Sequence, residues 1–447
     1  MTRAARARDA AALALVLAAG AVLFAHGLDA RTSYDEGVYL ASLDALRHGQ
    51  DLGSDVFASQ PPGFYALLRL VAWPAGRAVD DIRVGMLVLA LVGVVGAYFV
   101  GRRLAGPAGG FAAAAVVVAA PPYAAQAPRV AADTPSIALA LAALAVAAYA
   151  LERRRIAAPA AVGALTAAAV ATKLLALPVI VPLAVLAWRR RIGGRTAAAL
   201  MGGAAVVGVV LVAVYANVLG DLWRDAVQFH ADARSADVGE SATSRLVDYF
   251  SLRTPTTWVA AAGLVAALGW RRQLVPWAWA AAAAVFLLFQ APLLDHHFVL
   301  LAAALGVAAG TSLTSGRGRL ALAGAVVACA GAAAGWIQDY RQIGRDDAPE
   351  PAELRQAADA VRALTRPREL VASDLPIVPY LADRRLPGNL VDTSAVRLES
   401  GSLTPREVRR APVRVYVVGR EFARFLAPGP TLKLERRFGS IRILVRR

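Results

Sequence analysis

The sequence predicts a multi-span α-helical membrane protein of about eleven transmembrane helices, ending in a small extracytoplasmic α/β domain. Three observations carry that expectation. The 447 residues are 58% hydrophobic and 18% charged, with a mean hydropathy of +0.51, whereas a soluble chain carries about 25% charged residues. Asp, Glu, Lys and Arg leave long gaps along the chain, and the loops between the gaps alternate in charge. The composition excludes an ordinary cytosolic enzyme. A single cysteine, Cys329, lies in an apolar run and excludes an internal disulfide or a cysteine-built metal site. The net charge of +16 would suggest a nucleic-acid partner in a soluble protein. Its placement in short loops points to membrane lipids instead, and to no nucleic acid.

The charge-free stretches run over 10–28, 84–101, 104–128, 134–151, 156–172, 174–188, 196–220, 254–270, 273–294, 298–316 and 320–338. Most are long enough to cross a hydrocarbon core, which takes about 20 helical residues. The shortest, 174–188, contains Pro178 and Pro182 and follows Lys173, whose stem would extend it toward the interface. With the N-terminus inside, the inner loops (the N-terminus, 102–103, 152–155, 189–195, 271–272 and 317–319) hold 16 arginines and two acids. The outer loops between spans hold 11 basic and 16 acidic residues. Retention of Lys and Arg in the cytoplasm gives a multi-pass inner (plasma) membrane protein with the N-terminus in and the C-terminal domain out. The first span, behind Arg3, Arg6 and Arg8, resembles a signal peptide but reads as an uncleaved helix.

The expected organisation is a transmembrane catalytic domain over 1–338 and a soluble domain over 339–447. Within the first, outer loop 29–83 carries an acidic motif, and a second outer loop spans 221–253. The first loop has two helical patterns, one opening at Ser33-Tyr34-Asp35-Glu36 and one after Pro61-Pro62. In the tail, 353–364 and 376–382 read as helices, and 369–373, 413–418, 432–437 and 441–445 as strands. No repeat, dinucleotide fingerprint or Walker sequence occurs.

Adjacent carboxylates at the mouth of a helical bundle can serve a sugar transfer, one taking the proton of an acceptor hydroxyl while the other orients it. Asp35 and Glu36 are such a pair. The plainer account is a helix N-terminus, where the macrodipole favours acids. The order Asp35-Glu36-Gly37-Val38-Tyr39, Leu46-Arg47-His48-Gly49-Gln50-Asp51-Leu52, Gln60-Pro61-Pro62-Gly63-Phe64-Tyr65 resembles the first outer loop of the glycosyltransferase C superfamily. Within it, the chain is similar to the polyprenyl-phosphate-sugar branch, which includes protein O-mannosyltransferases and the aminoarabinose transferases of lipid A. Ser373-Asp374-Leu375-Pro376 and Ala382-Asp383-Arg384-Arg385-Leu386-Pro387 in the tail extend the resemblance over nearly the whole chain.

That resemblance implies Asp35 as catalytic base with Glu36 beside it. It also implies a further site acid at Asp133, in Arg129-Val130-Ala131-Ala132-Asp133-Thr134-Pro135. Asp133 equally suits a helix start entered by Pro135, with Arg129 as its ion-pair partner. Two departures stand out. Gln60 replaces a lysine that contacts the lipid phosphate in several relatives, and Asp295-His296-His297-Phe298 replaces an Arg-Tyr pair. Phosphate contact is then expected from Lys173, an ionisable residue in an apolar setting, whose alternative is a snorkelling anchor. Arg129, His296, His297 and His230 complete the substrate-binding set with Gln60. No cofactor is expected; Asp295, His296 and His297 leave a divalent metal as a minor possibility, because three adjacent residues rarely converge on one ion.

The expectation is therefore a membrane glycosyltransferase that moves a sugar, hexosyl or pentosyl, from a polyprenyl-phosphate donor to an extracytoplasmic acceptor (lipid, glycan or protein) by inverting displacement. A multispan transporter or lipid flippase is the alternative from another class, and would show mid-span charges and repeated halves. A noncatalytic membrane assembly protein is a third.

Overall fold

A computed structural model describes residues 3–151, 156–233, 240–251, 254–267, 273–315, 319–342 and 351–447. The inner-loop arginines of 153–155, 271–272 and 317, and the tip of the second outer loop at 234–239, lie outside the described residues. The chain divides into two compact units. The first comprises Met1–Asp29, Leu70–Val214 and Glu240–Ile343, and the second Ala30–Arg69, Tyr215–Gly239 and Gly344–Arg447. The second unit thus gathers most of the first outer loop and part of the second with the tail.

Over the described residues, each charge-free stretch of the sequence is mostly helical. Where lipid offers no hydrogen bonds, the backbone must satisfy itself, and a helix does so within one segment. Four described helices, Arg3–Asp29, Val79–Val118, Gly194–Asp232 and Asp295–Thr314, are long and apolar enough to cross a membrane. Shorter apolar helices cover Asp133–Tyr149, Ala157–Thr172, Leu274–Leu288 and Val326–Gln338. The Val79–Val118 helix breaks at Ala105–Gly106, where Gly106 takes φ 77° ahead of Pro107. The sequence reading set that boundary at Arg102-Arg103. The break comes later because only glycine accepts that φ freely, and because proline ends the helix before it. Both arginines stay on the helix: Arg102 Nε lies 2.6 Å from Asp9, and Arg103 donates to the Ala148 carbonyl at 3.1 Å.

Small residues let helices of this unit approach closely, as membrane interfaces favour. A Cβ on Gly163 would lie 1.8 Å from the Leu200 carbonyl oxygen, and one on Gly203 would lie 1.9 Å from that of Ala160. Trp279, Tyr98, Tyr123, Phe24 and Leu23 are fully buried in its core.

The second unit carries a four-stranded sheet of β1 (Val371–Ser373), β2 (Val415–Val418), β3 (Leu432–Phe438) and β4 (Ile441–Arg446) in the order β1-β2-β4-β3. β1 and β2 are parallel and the other pairs antiparallel. The two expected first-loop helices form at Tyr34–Arg47 and Pro62–Ala75, and the tail helices at Pro351–Leu364 and Ile377–Leu381. The Tyr34–Arg47 helix packs on the tail: a Cβ on Gly37 would lie 2.8 Å from the Ile377 backbone nitrogen. Buried Arg384 caps the Pro351–Leu364 helix, donating to the carbonyls of Arg362 at 3.3 Å and Thr365 at 2.8 Å.

Candidate functional site

The candidate residues fall in both units. In the first, Asp133 opens the Asp133–Ala150 helix, and Lys173 stands where the Ala157–Thr172 helix ends in an extended residue before a 3₁₀ turn. Lys173 Nζ donates to Asp133 Oδ1 at 2.8 Å. The side chains are 10% and 2% exposed. Lys173 is therefore held inward against an acid, and the snorkelling alternative does not describe it. Ala132 holds the N-cap position of that helix without a side-chain cap bond, and Asp133, its first residue, accepts from Lys173. Arg129, also buried, precedes it in a run of turns, with its carbonyl accepting from Ala131 N–H at 2.8 Å.

His296 and His297 lie in a 3₁₀ turn, Asp295–Phe298, that leads into the Val299–Ser315 helix. One ligand-type atom from each of Asp133, His296 and His297 lies within 4.8 Å of the others. The sequence reading weighed Asp295 as the acid beside the histidines. The structure supplies Asp133 from another helix instead, while Asp295 is exposed and paired with Arg245.

The chemistry of this cluster follows from one bond. The Leu294 N–H donates to His297 Nδ1 at 3.2 Å, and a backbone amide can only donate. A neutral His297 consequently carries its proton on Nε2, which is then a donor and not a ligand. Metal-binding histidines show the opposite arrangement, giving their second N–H to an acceptor. Asp133 Oδ1 is already held by Lys173. As arranged, Lys173 offers an ammonium and a neutral His297 an Nε2–H, donors that suit an anion.

In the second unit, Asp35 and Glu36 occupy the first turn of the Tyr34–Arg47 helix. Glu36 is fully buried and spends its carboxylate on a capping box: Oε2 accepts from Ser33 N–H at 3.0 Å, while Glu36 N–H donates to Ser33 Oγ at 3.3 Å. Asp35 is half-buried beside it. Gln60 is buried, and His230 Nε2 bonds the carbonyl of the preceding residue, Ser59, at 2.9 Å, so that His230 ties the second loop to the first.

A buried polar network in this unit escaped the sequence reading. The Tyr34 hydroxyl donates to Asp392 at 3.1 Å and accepts from Thr393 N–H at 2.6 Å. Burial and the nearby Asp392 charge push its pKa well above the ordinary tyrosine value. Arg397, 4% exposed, donates to the carbonyls of Asn389 at 2.8 Å and Asp392 at 2.6 Å and stacks 3.6 Å over the Phe57 ring. Asp225, in a single π turn over Arg224–Gln228, accepts from Ala58 N–H at 3.0 Å. These residues are scattered over the sequence in no recognisable spacing. Only the burial of charged residues in a folded chain marks them.

Residues 59–217, about a third of the chain, match the family described as dolichyl-phosphate-mannose-protein mannosyltransferase. No curated protein matches at the sequence level. Among solved structures, ArnT from Cupriavidus metallidurans bound to undecaprenyl phosphate superposes with a TM-score of 0.70 at 16% identity, covering 96% of this chain and 97% of that one. The archaeal oligosaccharyltransferase AglB from Archaeoglobus fulgidus, in complex with an inhibitory peptide and a dolichol-phosphate, gives 0.55 at 11%, covering 91% and 69%. The chain has the glycosyltransferase C fold, shared with these structures.

Proposed function

We propose that this protein is a membrane glycosyltransferase that takes a sugar from a polyprenyl-phosphate donor and transfers it to an acceptor outside the cytoplasm, with its C-terminal domain on that side. The observation that carries the reading is the buried Asp133–Lys173 pair with His296 and His297 beside it: a cation and N–H donors among apolar helices are what a lipid-linked phosphate requires. The fold shared with a protein bound to undecaprenyl phosphate supports the choice of donor. Eleven spans, the count given by the charge-free stretches, belong to this reading.

In the reaction, Asp35 removes the acceptor proton as the hydroxyl displaces the phosphate from the anomeric carbon with inversion. Glu36 keeps the helix end that carries Asp35 in place. Lys173 and the imidazole donors, with Arg129, stabilise charge that develops on the leaving phosphate. No nucleotide is needed, because the donor is already activated by its lipid phosphate. Ionisable candidates at helix ends, and not in mid-span, favour this over transport.

Purified protein in lipid bilayers, offered a panel of polyprenyl-phosphate sugars and acceptors, tests the proposal. Release of polyprenyl phosphate with one donor, abolished by Asp35→Asn, is expected. Movement of the intact lipid-linked sugar across the bilayer without its cleavage would establish the flippase alternative.

A further inference from the structure

The C-terminal hairpin carries a charge pattern that the packing of its unit does not use. Residues 351–404 hold seven basic and seven acidic residues, whereas 405–447 hold twelve and three. Some of the twelve meet carboxylates: Arg424 lies 3.1 Å from both Glu399 and Glu421, and Lys433 lies 3.0 Å from Glu435. Among the described residues, Arg436, Arg437, Arg442 and Arg447 pair with none.

β3 is the edge of the sheet. Arg437 stands directly opposite Arg442 in the β3–β4 register, an arrangement of like charges that costs stability. Arg437 Nε donates to the Gly439 carbonyl at 3.2 Å, and its guanidinium forms no ion pair among the described residues. Between Lys433 and Arg436, Leu434 is 41% exposed. Basic residues on an edge strand guard against unwanted strand pairing, which does not account for Arg442 on the inner strand β4. Arg437 and Arg442 share a face of the hairpin with the exposed Leu434, and Arg436 lies on the other side of the same edge strand; guanidinium groups without ion pairs beside an exposed leucine make the composition of a surface that sits among lipid headgroups. There, arginines meet phosphates and the apolar side chain enters the layer. The tail also follows the apolar Arg319–Gln342 helix in the chain, and such tethering keeps membrane lipid at high effective concentration.

We propose that the β3–β4 hairpin docks on the anionic phospholipid headgroups of the leaflet that it faces. This stands apart from the proposed enzyme activity and is tested without it. Full-length protein is placed in nanodiscs of zwitterionic lipid alone or with phosphatidylglycerol, and hydrogen exchange is followed over 432–446. Several-fold slower exchange with the anionic lipid is expected, reversed by high salt. The loss should follow from Arg436→Gln, Arg437→Gln and Arg442→Gln together, while the corresponding three lysine substitutions keep the slowing. Unchanged exchange over β1 and β2 in zwitterionic discs reports that the variants are folded. Equal exchange in both bilayers overturns the proposal. So does slowing by a soluble acidic polysaccharide in zwitterionic discs without slowing by phosphatidylglycerol, which would assign the surface to an acidic glycan.

Discussion

The two units bury charge in different ways. Among the apolar helices, Lys173 and Asp133 find each other across 40 residues of chain. In the α/β unit, Arg397 is satisfied mainly by carbonyls, and Asp374 accepts from Gly419 N–H at 2.5 Å and Phe422 N–H at 2.7 Å. The contrast follows from what the backbone has left over. Membrane helices consume their own N–H and C=O groups except at their ends, so a charge buried among them needs a counter-charge or a helix-end carbonyl, as buried Arg83 has in Leu28 at 2.7 Å. Turns and loops leave backbone groups unspent, and a buried charge can be solvated by them. A side chain that serves function is therefore sought in the first unit as a charge pair, and in the second as a charge the backbone does not absorb. Asp35 is the candidate there, in the first turn of its helix beside Glu36, whose carboxylate serves the cap.

The largest expected effect tests that choice. Asp35→Asn keeps shape but lacks proton affinity, so turnover should fall by about 10²- to 10⁴-fold with donor binding little changed; near-normal turnover would remove Asp35 as the base. Next comes the pair in the first unit. Asp133→Asn or Lys173→Met alone strands a buried charge, at a cost of about 3–5 kcal/mol, and the Lys173 variant should also weaken donor binding. The double variant should be more stable than either single one in thermal unfolding of the lipid-embedded protein. Additive losses would show that the two groups do not depend on each other.

A smaller effect concerns Asp374. Burial pushes its pKa up to about 6 despite the two amide donors, so the folded state holds its proton where the unfolded chain, with a pKa near ~3.9, has lost it. The sign follows: this group's contribution to stability is fully present below ~3.9 and is lost as the pH rises through 6, on the order of 1–3 kcal/mol. The difference in unfolding stability between the native protein and Asp374→Asn should therefore change between pH 4 and 7, and a pH-independent difference would contradict the raised pKa. The smallest effect is Glu36→Gln. Glutamine preserves a capping box, so turnover and stability should change little, while Glu36→Ala should cost about 1 kcal/mol. A loss with Glu36→Gln as deep as that with Asp35→Asn would make Glu36 a chemical participant.

Local structure was legible in the sequence almost throughout. The charge-free stretches became helices, Ser33 and Glu36 marked a helix start, and strands at 413–418, 432–437 and 441–445 were recovered to within a residue or two. Hydropathy, capping and β-branched runs are properties of short windows, and the backbone answers to them locally. The helix runs past Arg102-Arg103 for an equally local reason, since the Gly106-Pro107 pair and not the charge ends it.

What the sequence determined by itself is thus the run of apolar helices and the strands near the C-terminus, together with the acids and bases available to a site. Tertiary structure decided their partners. It set Asp133 against Lys173 and the histidines, gave Glu36 to a cap while leaving Asp35 beside it, and joined Tyr34 to Asp392 across 358 residues. Such pairings depend on which helix ends and loops meet after burial, and the free energy of a buried charge is fixed by that company rather than by its neighbours in the chain.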